Sequence, residues 1–159
     1  MTLRLGDLLV QRGVLTVAQR DEVLRLQRTD PRPFGAIAER MFGVVPARVE
    51  EAWAEQFSGL TSHVDPRREP VDPRVLPAID RRQAWQFRVL PLREEGGDLV
   101  LCTTREHLVR ALKFTGWRIA RSCHFVLAEP LALGEALMRH YRLDGMTPEM
   151  VAGRGLAVP

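Results

Sequence analysis

Between Leu5 and Phe57 the apolar residues fall at helical spacing and are interrupted by glycine and proline. A first helix is predicted from about Leu5 to Arg12, ending where Gly13 can adopt the left-handed conformation. Thr16 followed by Gln19 is the capping-box pattern for a second helix, expected to bury Val17, Val23 and Leu24 and to stop near Arg28. Residues 29–33, Thr-Asp-Pro-Arg-Pro, break the chain. A third helix is predicted from Phe34 to Gly43, and Pro46 suits the first turn of a fourth.

This region repeats itself. A shift of 29 residues brings Leu5 onto Phe34, Gly6 onto Gly35, Leu8 onto Ile37, Asp21-Glu22 onto Glu50-Glu51, Leu24 onto Trp53 and Gln27 onto Gln56. Gly13 and Gly43 are 30 apart, so the turn slips by one residue before register returns. A duplicated helical hairpin accounts for the pattern.

Beyond it the periodicity changes. Residues 58–73 are rich in proline and turn formers and read as a connector. Asp72-Pro73 opens a helical stretch to about Gln86. Two apolar strands, about 88–92 and 99–102, flank the hairpin turn Glu95-Gly96-Gly97-Asp98. A helix ended by Gly116, a third strand over 121–128 and a last helix from Pro130 to Tyr141 follow. The predicted class is α+β: duplicated N-terminal helical hairpins of four short helices over 1–57 (copies 4–27 and 33–56), then a small antiparallel-sheet subdomain over 74–141. Residues 142–159 read as a flexible tail.

The 159 residues are 45% hydrophobic and 27% charged, the balance of a globular chain, and suffice for one ordinary domain or two small ones. No apolar run approaches the roughly 18 residues of a membrane span, and the start lacks a signal-peptide h-region. The expected location is cytoplasmic, without membrane insertion. Cys102 and Cys123 lie in apolar runs and read as buried free thiols. Net charge is +3, almost all of the positive charge being arginine, with Lys113 the sole lysine. No dense basic stripe with interleaved aromatics is present, which argues against nucleic acid.

Catalytic signatures are missing. No phosphate-binding GxxxxGK[ST], HExxH, GxSxG or cysteine cluster occurs, and His63, His107, His124 and His140 are scattered, so neither an enzyme nor a metal site is expected. The opening stretch RLGDLLVQRGVLTVAQRDEVLRLQ is the exception. Arg4 stands where helix one begins, an unfavourable place for a cation that an anion would reverse. In an antiparallel hairpin Arg4 and Gln27 come to the same end, with Leu9 and Leu24 as an apolar wall. Arginine for phosphate or a guanine edge, amide for base or sugar, and leucine for a ring face make a nucleotide pocket. The other reading is a surface arginine and a glutamine bonded to neighbouring backbone.

The stretch resembles the ligand motif of the MshEN domain family, the amino-terminal domains of type II secretion and type IV pilus assembly ATPases. That motif, RLGxxLxxxGxxxxxxLxxxLxxQ, occurs twice with a five-residue spacer. Arg4, Leu5, Gly6, Leu9, Gly13, Leu24 and Gln27 match the first copy, Arg20 stands where leucine is usual, and residues 28–32 form the spacer. In the second copy Gly35 and Gln56 match, Phe34, Val49 and Trp53 stay apolar, and Ala38 is smaller. Pro33 replaces the arginine, which Arg32 stands beside, and Phe42 replaces the glycine; Arg105 follows the second strand where the family has aspartate. The resemblance implies cyclic di-GMP as a regulatory ligand on these residues, no metal, and a protein partner in secretion or pilus-type machinery. It fits a standalone adaptor or the front of a larger protein. The alternative is a ligand-free docking module of the same fold.

Overall fold

The computed structural model describes residues 4–152. The chain divides into two compact units, Met1–Leu60 and Thr61–Pro159.

The first unit is helical: α1 Leu5–Gln11, α2 Val17–Gln27, α3 Phe34–Phe42 and α4 Pro46–Leu60. The Thr16 hydroxyl accepts from the Gln19 backbone N–H while the Gln19 amide oxygen accepts from that of Thr16, so the predicted capping box starts α2. Gly13 (φ 73°) and Gly43 (φ 63°) take the left-handed turn after α1 and α3. The core gathers Leu8, Leu9, Leu15, Val23, Ile37, Ala38, Val44 and Ala52. α2 departs from expectation: Val23 is buried, but Val17 and Leu24 are 52% and 41% exposed. The two lie seven residues apart on one stripe, which the helical period turns away from Val23 and Leu26. α4 also runs through Leu60, three residues into the predicted connector.

The duplication is visible in the packing. α1 packs mainly on α4, and α2 mainly on α3. Exchanging the two copies turns the first of these seams into the second, as a two-fold relation requires. Within each hairpin the repeat holds at residue level. A Cβ on Gly35 would fall 2.5 Å from Cγ1 of Val49, and one on Gly6 would fall 3.1 Å from Cγ of Arg20, the residue 29 before Val49.

The second unit holds a 3-10 turn at Pro73–Ala78, α5 Arg81–Phe87, β1 Leu90–Glu95, β2 Asp98–Thr103, α6 Leu108–Arg118, β3 Cys123–Leu127, α7 Pro130–His140 and a 3-10 turn at Pro148–Met150. The single helix expected from Pro73 to Gln86 is two pieces. Pro77 cannot continue the first turn, and Asp80 with Gln83 forms a fresh capping box for α5. β1 and β2 are antiparallel across Gly96 (φ 59°) and Gly97 (φ 87°), the two positive φ values of a type I′ hairpin.

The sheet order is β1-β2-β3, and β3 runs parallel to β2, so the sheet is mixed where an antiparallel one was expected. A long connection carrying α6 separates β2 from β3, which permits the parallel crossover that a tight hairpin forbids. α6 passes Gly116 and ends at Arg118. The sheet and helices bury Leu90, Leu99, Leu101, Phe114, Phe125, Leu133 and Leu137, with Trp85 donating its indole N–H to the Tyr141 carbonyl at 2.8 Å. Cys102 is buried, its thiol pushed up to about 12 by desolvation, whereas Cys123 is only half-buried. The segment read as a flexible tail carries the Pro148–Met150 turn and the buried Val151; residues 153–159 lie outside the described residues.

Candidate functional site

The fourteen residues singled out in the first unit separate into two groups. Leu9 and Ala38 are fully buried in the core, and Gly6 and Gly35 are buried at helix–helix contacts. A Cβ on Gly6 would also meet Cζ of Phe34 at 2.9 Å. These glycines therefore admit protein side chains, where backbone approach to a ligand had been expected. Leu5, Phe34 and Val49 pack half-buried against the same core. Gly13 is exposed with nothing within 4 Å of its Cβ position, so its task is the turn.

The second group reaches the surface. Arg4 is exposed at the N-cap of α1, extended (φ −73°, ψ 160°), and makes no capping bond. Leu24 is exposed, and Gln27, Trp53 and Gln56 are half-buried. Trp53 lies against Phe57 with ring centroids 5.3 Å apart. Among the described residues no hydrogen bond joins Arg4, Gln27 and Gln56. Instead the Gln27 amide donates to the Arg32 carbonyl at 3.4 Å, a long bond to neighbouring backbone.

Arg20, the departure from the family's leucine, has a physical explanation. Its aliphatic stem covers Gly6 as a leucine would, and its guanidinium reaches Asp7 and Asp21, each at 3.0 Å. Burial of the stem with hydration of the head is what a long arginine side chain allows.

Arg32, beside the lost second arginine, is already engaged. Its Nε donates to both oxygens of Asp30 at 3.0 Å, and its backbone N–H donates to Asp30 Oδ1 at 3.1 Å. The same construction recurs at Asp65-Pro66-Arg67 and Asp72-Pro73-Arg74: backbone N–H and Nε of the arginine on one oxygen, Nη2 on the other. Proline fixes the turn between acid and arginine, so Asp-Pro-Arg closes on itself. The Arg32 hydrogen bonds hold the Asp30 carboxyl down at about 2, and Asp65 and Asp72 are lowered by Arg67 and Arg74 in the same way. A depressed carboxyl contributes stability that is complete above its unfolded value and is lost as pH falls toward the folded one. For Asp30 that window runs from about 4 down to about 2. A carboxyl-detected NMR titration should give Asp30 a midpoint near 2, and Arg32→Ala should raise it toward the ordinary aspartate range, the backbone N–H of residue 32 and Arg40 keeping part of the depression.

Sequence reading passed over a hollow of about 270 Å³ lined by Leu26, Asp30, Arg32, Ile37, Arg40 and Met41. Met41, four residues after Ile37, continues the apolar stripe of α3 yet is 41% exposed, an exposure the sequence does not show. Among the described residues no helix is long and apolar enough to cross a membrane, and no group of three or more His, Cys, Asp or Glu could hold a metal.

No curated protein matches the chain. A solved structure of MshE with cdg is 24% identical, covers 87% of this chain and 99% of that one, and has a TM-score of 0.49. Two crystal forms of the N-terminal domain of XpsE are 19% and 20% identical, covering 87% and 84% of this chain and 94% and 91% of theirs, with TM-scores of 0.45 and 0.46. The profile of the MshEN domain matches residues 59–147, which is most of the second unit. Since that match spans more than half of the sequence, the chain belongs to the MshEN domain family.

Proposed function

We propose that this protein is a cyclic di-GMP receptor module that acts through a protein partner in a secretion, pilus or other surface-associated system. The first ligand motif carries the reading: every family position but residue 20 is kept, and Arg4, Leu24 and Gln27 stand where water can reach them. The exchange-symmetric seams of the first unit suit a dinucleotide that is itself two-fold. Arg4 supplies charge for a phosphate or guanine edge. Leu24 and Trp53 offer apolar faces to a base, and Gln27 and Gln56 fix edges by hydrogen bonds. Leu9, Ala38, Gly6 and Gly35 hold the helices so that these groups stay in place.

Isothermal titration with cyclic di-GMP tests this. Binding is expected in the micromolar range, and Arg4→Ala should weaken it roughly 10- to 100-fold, the worth of one charged hydrogen bond. No heat at high micromolar ligand defeats the reading.

A second reading, a docking module that has lost the ligand, draws on the second copy. Gln27 is turned to the Arg32 carbonyl, Arg32 is held by Asp30, and Pro33 has no guanidinium to offer. Pro33→Arg with Arg105→Asp separates the two, Phe42 being kept because it packs on the core. Binding created by these changes in a protein that otherwise binds nothing supports the second reading. Little change in a protein that already binds supports the first.

A further inference from the structure

The two seams of the first unit are related by exchange of the copies, yet they are finished differently. In the α1–α4 seam Arg12 donates to Glu55 at 3.1 Å and to Glu51 at 3.5 Å. That cross-copy ion pair spans the seam. Shifted by 29 residues, Arg12 becomes Met41 and Glu55 corresponds to Leu26, while Glu51 corresponds to Glu22, which pairs with Arg25. The α2–α3 seam therefore has no equivalent ion pair at this place, and here the hollow of about 270 Å³ opens.

Its lining describes an occupant. Leu26, Ile37 and Met41 give an apolar floor, and Met41 is 41% exposed, a flexible side chain able to fit different shapes. Arg32 and Arg40 lie on the rim with Asp30 as the only acid of the lining. Asp30 is taken up by Arg32, and Arg40 is near enough to add to the pull on its carboxyl. The rim thus carries an excess positive charge at the place corresponding to the acid-filled seam.

We propose that the α2–α3 hollow is a docking site for a partner-protein segment that presents an apolar side chain with a carboxylate beside it. The apolar side chain fills the space over Leu26, Ile37 and Met41, and the carboxylate pairs with Arg40 as Glu55 pairs with Arg12. The volume of about 270 Å³ has room for a leucine-sized side chain. Of the residues singled out for the dinucleotide the lining takes only Arg32, which Asp30 already engages, and it uses none of Arg4, Leu24 and Gln56, so this inference can fail while dinucleotide binding stands.

The probe is the peptide acetyl-Glu-Leu-Leu-Glu-amide, titrated into the full ¹⁵N-labelled chain, with glutamine-for-glutamate and lysine-for-glutamate versions as controls. Saturable shifts are expected at Leu26, Ile37, Arg40 and Met41 for the acidic peptide, with the glutamine version about tenfold weaker. Arg40→Glu, on an exposed position of α3, should lower the affinity for the acidic peptide by more than about tenfold and favour the lysine version. Arg4→Ala should leave the titration unchanged. Absence of saturable shifts at about 5 mM peptide, equal response to all three peptides, or shifts centred elsewhere each overturns the proposal.

Discussion

Replacing Gly134 by alanine is expected to cost the second unit about 2–4 kcal/mol, although alanine is the better helix former by about 1 kcal/mol. The reason is steric and concerns backbone. A Cβ at Gly134 in α7 would stand 2.4 Å from the Pro148 carbonyl oxygen, 2.6 Å from its Cα and 2.8 Å from its carbonyl carbon. A flexible side chain could swing aside, but a chain segment has to lift as a whole. Lifting it exposes Val151, now 1% accessible, and stretches the 3.2 Å bond from Arg88 Nη2 to the Met150 carbonyl. Arg88 can spare little, since its Nε is already buried without a partner. Denaturant unfolding followed by circular dichroism measures the loss. A chain cut after Thr147 provides the control, because Gly134→Ala should then cost nothing or stabilise slightly. An equal penalty in the cut chain would locate the clash elsewhere.

That contact also marks where the sequence stops being informative. Residues 142–152 have glycine and proline but little periodicity, so they resemble a tail, and what holds them is an absence of side chain on another element. Only three-dimensional neighbours make Gly134 necessary. Elements whose signals are local were legible instead. The Thr16–Gln19 capping box, the Gly13 and Gly43 stops and the Gly96-Gly97 turn each act within four residues of themselves. The direction of β3 was not legible, because an apolar strand reads alike in parallel and antiparallel pairing.

The candidate site divides along the same line. The repeat showed that Gly6 and Gly35 are equivalent, but not what they face. Arg20 looked like a defect in the motif until its stem was placed over Gly6 and its head on Asp7 and Asp21. Arg32 stands beside the replaced arginine in sequence, but Asp30 holds it. In both cases a charged residue has a local partner that pattern matching does not weigh. The hollow at Met41 required knowing that α2 lies on α3.

Leu9 and Leu24 occupy leucine positions of one motif, and their alanine variants are expected to fail in opposite ways. Leu9 is 0% exposed in the core of the first unit, and its truncation should cost about 2–5 kcal/mol through lost burial and the cavity left behind. A unit ending at Leu60 is small enough that its whole stability is on the order of 5 kcal/mol, so Leu9→Ala should remove about half of it or more and sharply lower the melting temperature. Leu24 is 41% exposed, and Leu24→Ala should shift stability by no more than about 0.5 kcal/mol. If cyclic di-GMP stacks a base there, the same change should weaken binding several-fold while the thermal melt stays in place. Thermal unfolding by circular dichroism and titration calorimetry on the two variants read these quantities separately. Equal destabilisation by both would mean that α2 packs with its Leu24 face inward. An undiminished affinity in a folded Leu24→Ala protein would take that face out of the binding surface and leave Arg4 and Gln27 to account for it.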